Sequence, residues 1–143
     1  MQNTGSTASQ RETPRRRLLT LRDALLNLHK ALVDSERVGY ERTVGEIKSP
    51  NHFLQLLIKD PWFTWLQPLS QLIVSMDEAL AQKEPLTAST VDSLVKETRL
   101  LLSPKERGHE FSGHYFEALQ RDPDVVLAHG KAARLLRQPA SDN

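Results

Sequence analysis

The chain has no cysteine among its 143 residues. That removes disulfides, thiolate metal ligands and cysteine nucleophiles together. Aromatic residues are few, two Trp, two Tyr and four Phe, so the core must be mostly aliphatic. The longest apolar run is four residues, Val125 to Ala128, far short of the ~20 that a membrane-spanning helix needs. No segment alternates apolar and polar residues over the length of a strand, and there is no Asn-Gly or Asp-Gly hairpin pair, so no strands are expected. Charge of one sign is also missing. Nineteen basic against 18 acidic side chains leave +1. Arg11, Arg15, Arg16 and Arg17 against Glu12 make residues 1–17 net +3, and the remaining 15 basic against 17 acidic side chains make the body net −2. Nucleic-acid binding draws its affinity from clustered Lys and Arg, which a mildly acidic body does not supply.

What is present is helical periodicity. Leu18, Leu21, Leu25, Leu28 and Leu32 step by three and four, and Leu19, Leu26, Val33, Tyr40 and Ile47 add a row seven apart. Together the rows predict one broad apolar face on a first helix from about Arg15 to Ile47, opened by Pro14 and stopped before Ser49-Pro50. Gly39 and Gly45 are expected to loosen its last turns. A short helix should follow over Pro50–Lys59. Asp60-Pro61 reads as N-cap and first residue of the next helix, Trp62–Ala81, which Pro68 must kink or split into one turn and a longer helix. Thr87 caps a helix carrying Val91, Leu94, Val95, Thr98, Leu101 and Leu102. Ser103 to Glu106 fits a capping box for a short turn closed by Gly108, Ser112 caps a helix through Arg121, and Asp122-Pro123 starts the last helix, ending near Arg137.

Elements with one apolar face can bury it only against one another. The expected fold is all-α, an antiparallel bundle of four main helices with additional short helices, over residues 14–137. Residues 1–13 and 138–143 are polar tails with too little to bury to repay ordering. Thr13 to Leu19 superficially matches a twin-arginine export signal, but Arg22 and Asp23 break the apolar stretch such a signal needs. A cytoplasmic location is expected.

Several polar residues fall where apolar ones belong. At 100° per residue Arg22, His29 and Glu36 lie near the middle of the first helix's apolar face, and His129 sits among Val125, Ala132 and Leu136. Buried polar groups need partners, for which Asp77, His114 and Glu117 are the candidates. The sharpest functional reading is a metal or proton-transfer site from His29, Glu36, Asp77, His114, Glu117 and His129. The motif support is thin. His109-Glu110 with His114 spaces its histidines by five where the zinc helix needs four, and Glu106 with His109 is a single Glu-x-x-His unit where the di-iron pattern needs two. Ordinary paired core groups account for the same residues, so no metal and no cofactor are expected.

The segments His52–Pro61 and His114–Pro123 share four identical positions. A duplicated histidine motif is one reading; the shared Asp-Pro corner alone is the simpler one. No phosphate-binding loop, dinucleotide fingerprint or nucleophile elbow occurs, and Ser112-Gly113-His114 is adjacency in sequence, not a triad. No catalytic residue is assigned. The cluster Trp62, Phe63 and Trp65 reads more readily as the large-residue layer of a core than as a ligand pocket or exposed partner site.

The run Asp60-Pro-Trp-Phe-Thr-Trp-Leu-Gln-Pro-Leu-Ser-Gln-Leu-Ile-Val74, with Asp77-Glu78, and the stretch Leu119-Gln-Arg-Asp-Pro-Asp-Val-Val126 resemble a family of small bacterial all-helical proteins, a domain of unknown function. The resemblance covers most of residues 15–136. It implies a helical domain, and no activity or site residue comes with it.

The function expected is therefore that of a non-enzymatic bundle acting through protein contacts, as a homodimer. The reason is helix 1: about 33 residues at 1.5 Å each span roughly 50 Å, more than its neighbours should cover. The rival is a metal- or small-molecule-binding bundle using the core His, Glu and Asp residues. A third reading tethers Arg11–Arg17 to nucleic acid or an acidic surface.

Overall fold

The computed structural model describes residues 13–105 and 110–138. Among them are seven helices and no strand: α1 Pro14–Thr43, α2 Pro50–Lys59, α3 Pro61–Thr64, α4 Gln67–Ala81, α5 Ala88–Leu101, α6 Glu110–Arg121 and α7 Pro123–Leu136. Proline is the first residue of four of them and the second of α4. Ring-locked φ and a missing N–H cost nothing in a first turn, and the residue before each proline supplies the cap where its side chain can. Asp60 accepts from Trp62 N at 2.9 Å, Asp122 from Asp124 N at 2.9 Å and Ser49 from His52 N at 3.0 Å. Thr13, expected in the N-terminal tail, caps α1 by accepting from Arg16 N at 3.1 Å. Pro68 splits the expected Trp62–Ala81 helix into α3 and α4.

Two boundaries differ from the periodicity reading. The first helix stops at Thr43, not Ile47, because the Tyr40 carbonyl takes both Val44 N at 2.7 Å and Gly45 N at 3.2 Å and closes the last turn. Glu41 then accepts from Ile47 N at 3.2 Å and turns Ile47 inward. Ser112 is not a cap, since α6 begins at Glu110. Ser103 donates its hydroxyl backward to Arg99 O at 2.9 Å and finishes α5, while the capping box predicted from it ends on Glu106. The rest of that predicted turn, Glu106 and Gly108, lies outside the described residues, as do His109, the first twelve residues and 139–143.

α1 is the axis of the fold, packing along its length on α7, α4, α5 and α3. Leu18, Leu21, Leu25, Leu28 and Leu32 are buried against Leu69 and Met76 of α4, Val91 and Val95 of α5, Phe111 and Tyr115 of α6 and Val125 and Ala132 of α7. The second row is not continuous with the first: Leu19 and Val33 are half-buried and Leu26 is 42% exposed. The far end of α1 does not overhang. Tyr40 packs with Ile47, Leu56 and Phe63 in a smaller core, edged by Phe53, Leu57 and Trp62. The covering that a partner was expected to provide comes from α2 and α3 of the same chain. Gly39 does not loosen the helix; it admits the Trp62 ring, whose Cζ2 would lie 3.3 Å from an added Cβ, while Trp62 Nε1 donates to Glu36 O at 3.0 Å.

Arginines complete the helix ends. Arg15 donates to Leu80 O at 2.9 Å and Arg99 to Leu136 O at 2.5 Å, satisfying carbonyls at the ends of α4 and α7 where the helix dipole favours a cation. Arg17 pairs with Asp92 of α5 at 2.7 Å. Two of the arginines read as a surface tether are thus tied to the fold. Among the described residues no helix is long and apolar enough to cross a membrane.

Candidate functional site

The polar residues on the apolar face of α1 are where the wheel puts them, and each meets a separate partner. Glu36 is the deepest, 8% exposed. Its carboxylate pairs with Arg121, the last residue of α6, whose Nε also donates to Ser35 Oγ at 3.4 Å. Burial pushes the Glu36 carboxyl above its ordinary range, against the opposing pull of Arg121, His114 and the Trp65 indole N–H. Desolvation therefore outweighs the ion pair, the usual balance when a pair leaves water. The Trp65 Nε1 itself is buried without a hydrogen-bond partner within reach, so its effect on Glu36 is that of a nearby dipole. His114 lies exposed on α6, its ring stacked on Trp65 at 5.1 Å and 20°.

His29 and His129 occupy two other places. His29 Nε2 meets Ser70 Oγ of α4 at 2.8 Å, and burial lowers the His29 pKa. His129 Nδ1 meets the Tyr115 hydroxyl at 2.5 Å. Tyr115 is fully enclosed, and burial pushes its phenol further from ionisation. Burial lowers the His129 pKa in turn. A phenol held protonated donates to a neutral imidazole, so Nδ1 accepts and the ring proton rests on Nε2. Trp65, Phe111, Tyr115 and His129 form a chain of ring contacts with centroids 5.3–5.4 Å apart. This is the large-residue layer expected of the tryptophan cluster, and Trp62 and Phe63 build the corresponding layer of the smaller core.

Arg22 reaches Asp77 at 3.3 Å and Asp23 at 3.4 Å, though its Nε makes no aligned hydrogen bond. Asp77 is half in solvent and Glu117 is exposed on α6. Of the six candidate ligands the structure brings Glu36 and His114 near one another. His29, Asp77 and His129 each bond elsewhere. Among the described residues no group of three or more His, Asp or Glu side chains is placed to hold a metal ion. The paired segments likewise do different things: His52 accepts from Lys48 N at 3.0 Å at the start of its own helix, whereas His114 lies on Trp65. What they share is the Asp-Pro corner.

The partners that sequence reasoning missed were Ser70, Arg121 and Tyr115. Tyr115 carried a readable signal, since it lies with Phe111 and Ala118 at helical spacing and an enclosed phenol requires a partner. Ser70 and Arg121 are 41 and 85 residues from His29 and Glu36, and no local pattern links them.

A surface feature stands apart from these pairs. The start of α4 lies beside the end of α5, and Pro68, Gln71, Leu72 and Ser75 form a groove of about 390 Å³ with Glu97, Leu100 and Leu101. Leu100 is 70% exposed and Val74 52%. From Gln67 to Met76 there is no charged residue. Gln67 Nε2 reaches Ile58 O at 3.5 Å, which joins this surface to α2, where Leu54 and Ile58 are 50% and 51% exposed. α2 has five apolar residues in ten, yet only Leu56 is buried.

Comparison of the chain with protein-family models, with characterised proteins and with solved structures finds no match.

Proposed function

We propose that the protein is a non-enzymatic, cytosolic helical protein that works through protein contacts, with α1, α4, α5 and α7 packed as an antiparallel bundle. The bundle reading is supported by α1 packing on the other three and by the contacts of α5 with both α4 and α7. The observation that carries the functional reading is the uncharged surface of α4 with Leu54, Ile58, Val74 and Leu100 left in solvent. Single exposed apolar residues are ordinary, whereas a neutral surface that collects several of them beside a groove is the signature of an interaction site. The rival reading, a metal or small-molecule site in the core, needs free ligands there. His29, Glu36, Asp77 and His129 are bonded within the chain, which supports a structural role for them.

A photo-crosslinking amino acid placed at Val74 or Leu100, and at Lys131 on the exposed side of α7 as control, tests this in the source cells. The expected result is a discrete protein adduct from the first two positions and none from the third. No adduct at any position, or equal adducts at all three, overturns it.

A further inference from the structure

We propose that the end of the molecule where α1 begins and α7 finishes binds the phosphate backbone of a nucleic-acid duplex, through Arg16, Lys96, Arg99, Arg134 and Arg137. Charge is unevenly placed along both helices. α1 opens on Arg15, Arg16 and Arg17, and further along its cations meet carboxylates, Lys30 with Asp34 and Arg37 with Glu41. α7 opens beside Asp122 and Asp124 and finishes with Arg134 and its C-cap Arg137. Packing sets like ends together. Leu135 and Gln138, at the end of α7, line a small recess with Arg17 and Thr20, while Asp122 and Asp124 line another with Asn27, Lys30 and Asp34. α5 adds to the basic end. Its Asp92 meets Arg17 at 2.7 Å and its Arg99 the Leu136 carbonyl at 2.5 Å, so Lys96, on the same row of the helix, stands between the two contacts.

These charges are left over after folding. Arg16, Lys96, Arg134 and Arg137 are exposed and have no acidic partner among the described residues, and Arg99 engages a carbonyl, which leaves its charge uncompensated. The acidic side chains on the same stretches are Asp92, held by Arg17, Asp23, beside Arg22, and Glu97, on the flank of α5 that lines the α4 groove. Cations collected in this way repel one another, and a polyanion relieves that repulsion as it sheds its own counterions. The net charge of the whole body sums over both ends and hides the cluster at one of them. The surroundings select the duplex. Neither α5 nor α7 has a Phe, Tyr or Trp, and α1 has only Tyr40 at its far end, so no platform stacks the bases of a single strand. No large apolar side chain is exposed on α1 before Leu26, on α5 before Leu100 or on α7 beyond Leu127, so a membrane finds no anchor here. A duplex offers one phosphate per ~1.7 Å of its axis, and the guanidinium groups that make up most of this cluster bind phosphate oxygens in pairs.

Fluorescence anisotropy of a labelled DNA duplex of about 20 base pairs, titrated with the full chain, is the test. About four phosphate contacts predict binding in the micromolar range at about 50 mM salt and a loss of roughly 150-fold at about 200 mM. Lys96→Gln, Arg134→Gln and Arg137→Gln combined replace side chains already in solvent, so the helical circular dichroism should stay unchanged. Affinity at the lower salt should fall at least tenfold, and the slope of log K against log salt should become shallower by about 2.7. Arg42→Gln, Lys48→Gln and Lys59→Gln combined make the same charge change around the Tyr40 core. Arg42 is roughly 39 Å along α1 from Arg16, several screening lengths away, so this control should stay within about threefold of wild type. A wild-type chain that leaves the anisotropy unchanged at about 100 µM, a first variant as good as wild type, or a control as impaired as the first variant overturns the proposal. A single strand bound more tightly than the duplex, or retention on phosphatidylserine vesicles in place of duplex binding, overturns it in favour of that other polyanion.

Discussion

Arg121 and Glu36 provide the sharpest test of how the core polar groups are held. Arg121→Met removes the cation that pairs with Glu36, a carboxylate 8% exposed. Breaking a buried pair from one side costs about 3–5 kcal/mol. Arg121 is about half exposed and water reaches its guanidinium, so the loss should fall to about 2 kcal/mol at pH 7.5. Glu36→Gln is not the mirror image. Its carboxyl is pushed up from 4.5 because burial costs more than Arg121 returns, so the folded protein holds the proton more tightly than the unfolded chain. That contribution is fully present below pH 4.5 and lost as pH rises through the raised folded value. At neutral pH the charge is a net burden, and the neutral amide should change stability by less than about 1 kcal/mol in either direction. Urea unfolding at pH 7.5 and pH 5, followed by circular dichroism, reads both. The cost of Arg121→Met should shrink from pH 7.5 toward acid, in the direction in which Glu36 takes up its proton. A Glu36→Gln loss above about 2 kcal/mol, with Arg121→Met neutral, would refute the claim that desolvation outweighs the pair.

Other consequences follow from the same contacts. His29 and His129 both have pKa values lowered from 6.5 by burial, so their contribution is intact above pH 6.5 and lost as pH falls through 6.5 toward their folded values. The melting temperature should drop over that window, His129→Gln should flatten the drop, and Glu36→Gln should steepen it by removing the opposing term. Tyr115→Phe leaves His129 Nδ1 without its donor and should cost about 1–2 kcal/mol, measured by urea midpoint with an unchanged m-value. Gly130→Ala on α7, where an added Cβ meets nothing within 4 Å, should stabilise by about 0.5–1 kcal/mol. Gly39→Ala should gain less or lose, because the new methyl meets the Trp62 ring at 3.3 Å; equal gains at both sites would contradict the close packing there.

The helix ends were the most legible part of the chain, because proline and its preceding cap act within four residues. α2 begins and ends where Pro50 and Asp60 say it should, and Asp122-Pro123 and Thr87 behave alike. The burial pattern of α1 was half legible. The row from Leu18 to Leu32 is core, but Leu26 of the second row faces solvent, since the width of a buried face depends on how many neighbours surround the helix, a tertiary quantity. The same ignorance produced the overhang argument: α2 and α3 folding back on Tyr40 could not be seen from spacing alone. Placing Glu36, His29 and His129 inward was correct in direction, and naming their partners failed for Ser70 and Arg121 because the distances in sequence are long. The α4 surface was readable in retrospect, since ten residues from Gln67 to Met76 without a charge sit on a helix that must expose one side.

Hydrogen exchange read by mass spectrometry, on the protein alone and with the partner crosslinked through Val74 or Leu100, tests most directly that this surface is where the molecule makes its protein contact. Binding of that partner should slow exchange in peptides covering residues 54–58, 67–75 and 97–101 and leave residues 123–136 of α7 unchanged. Exchange unaffected by the partner, or protection gained on α6 and α7 instead, would contradict the account.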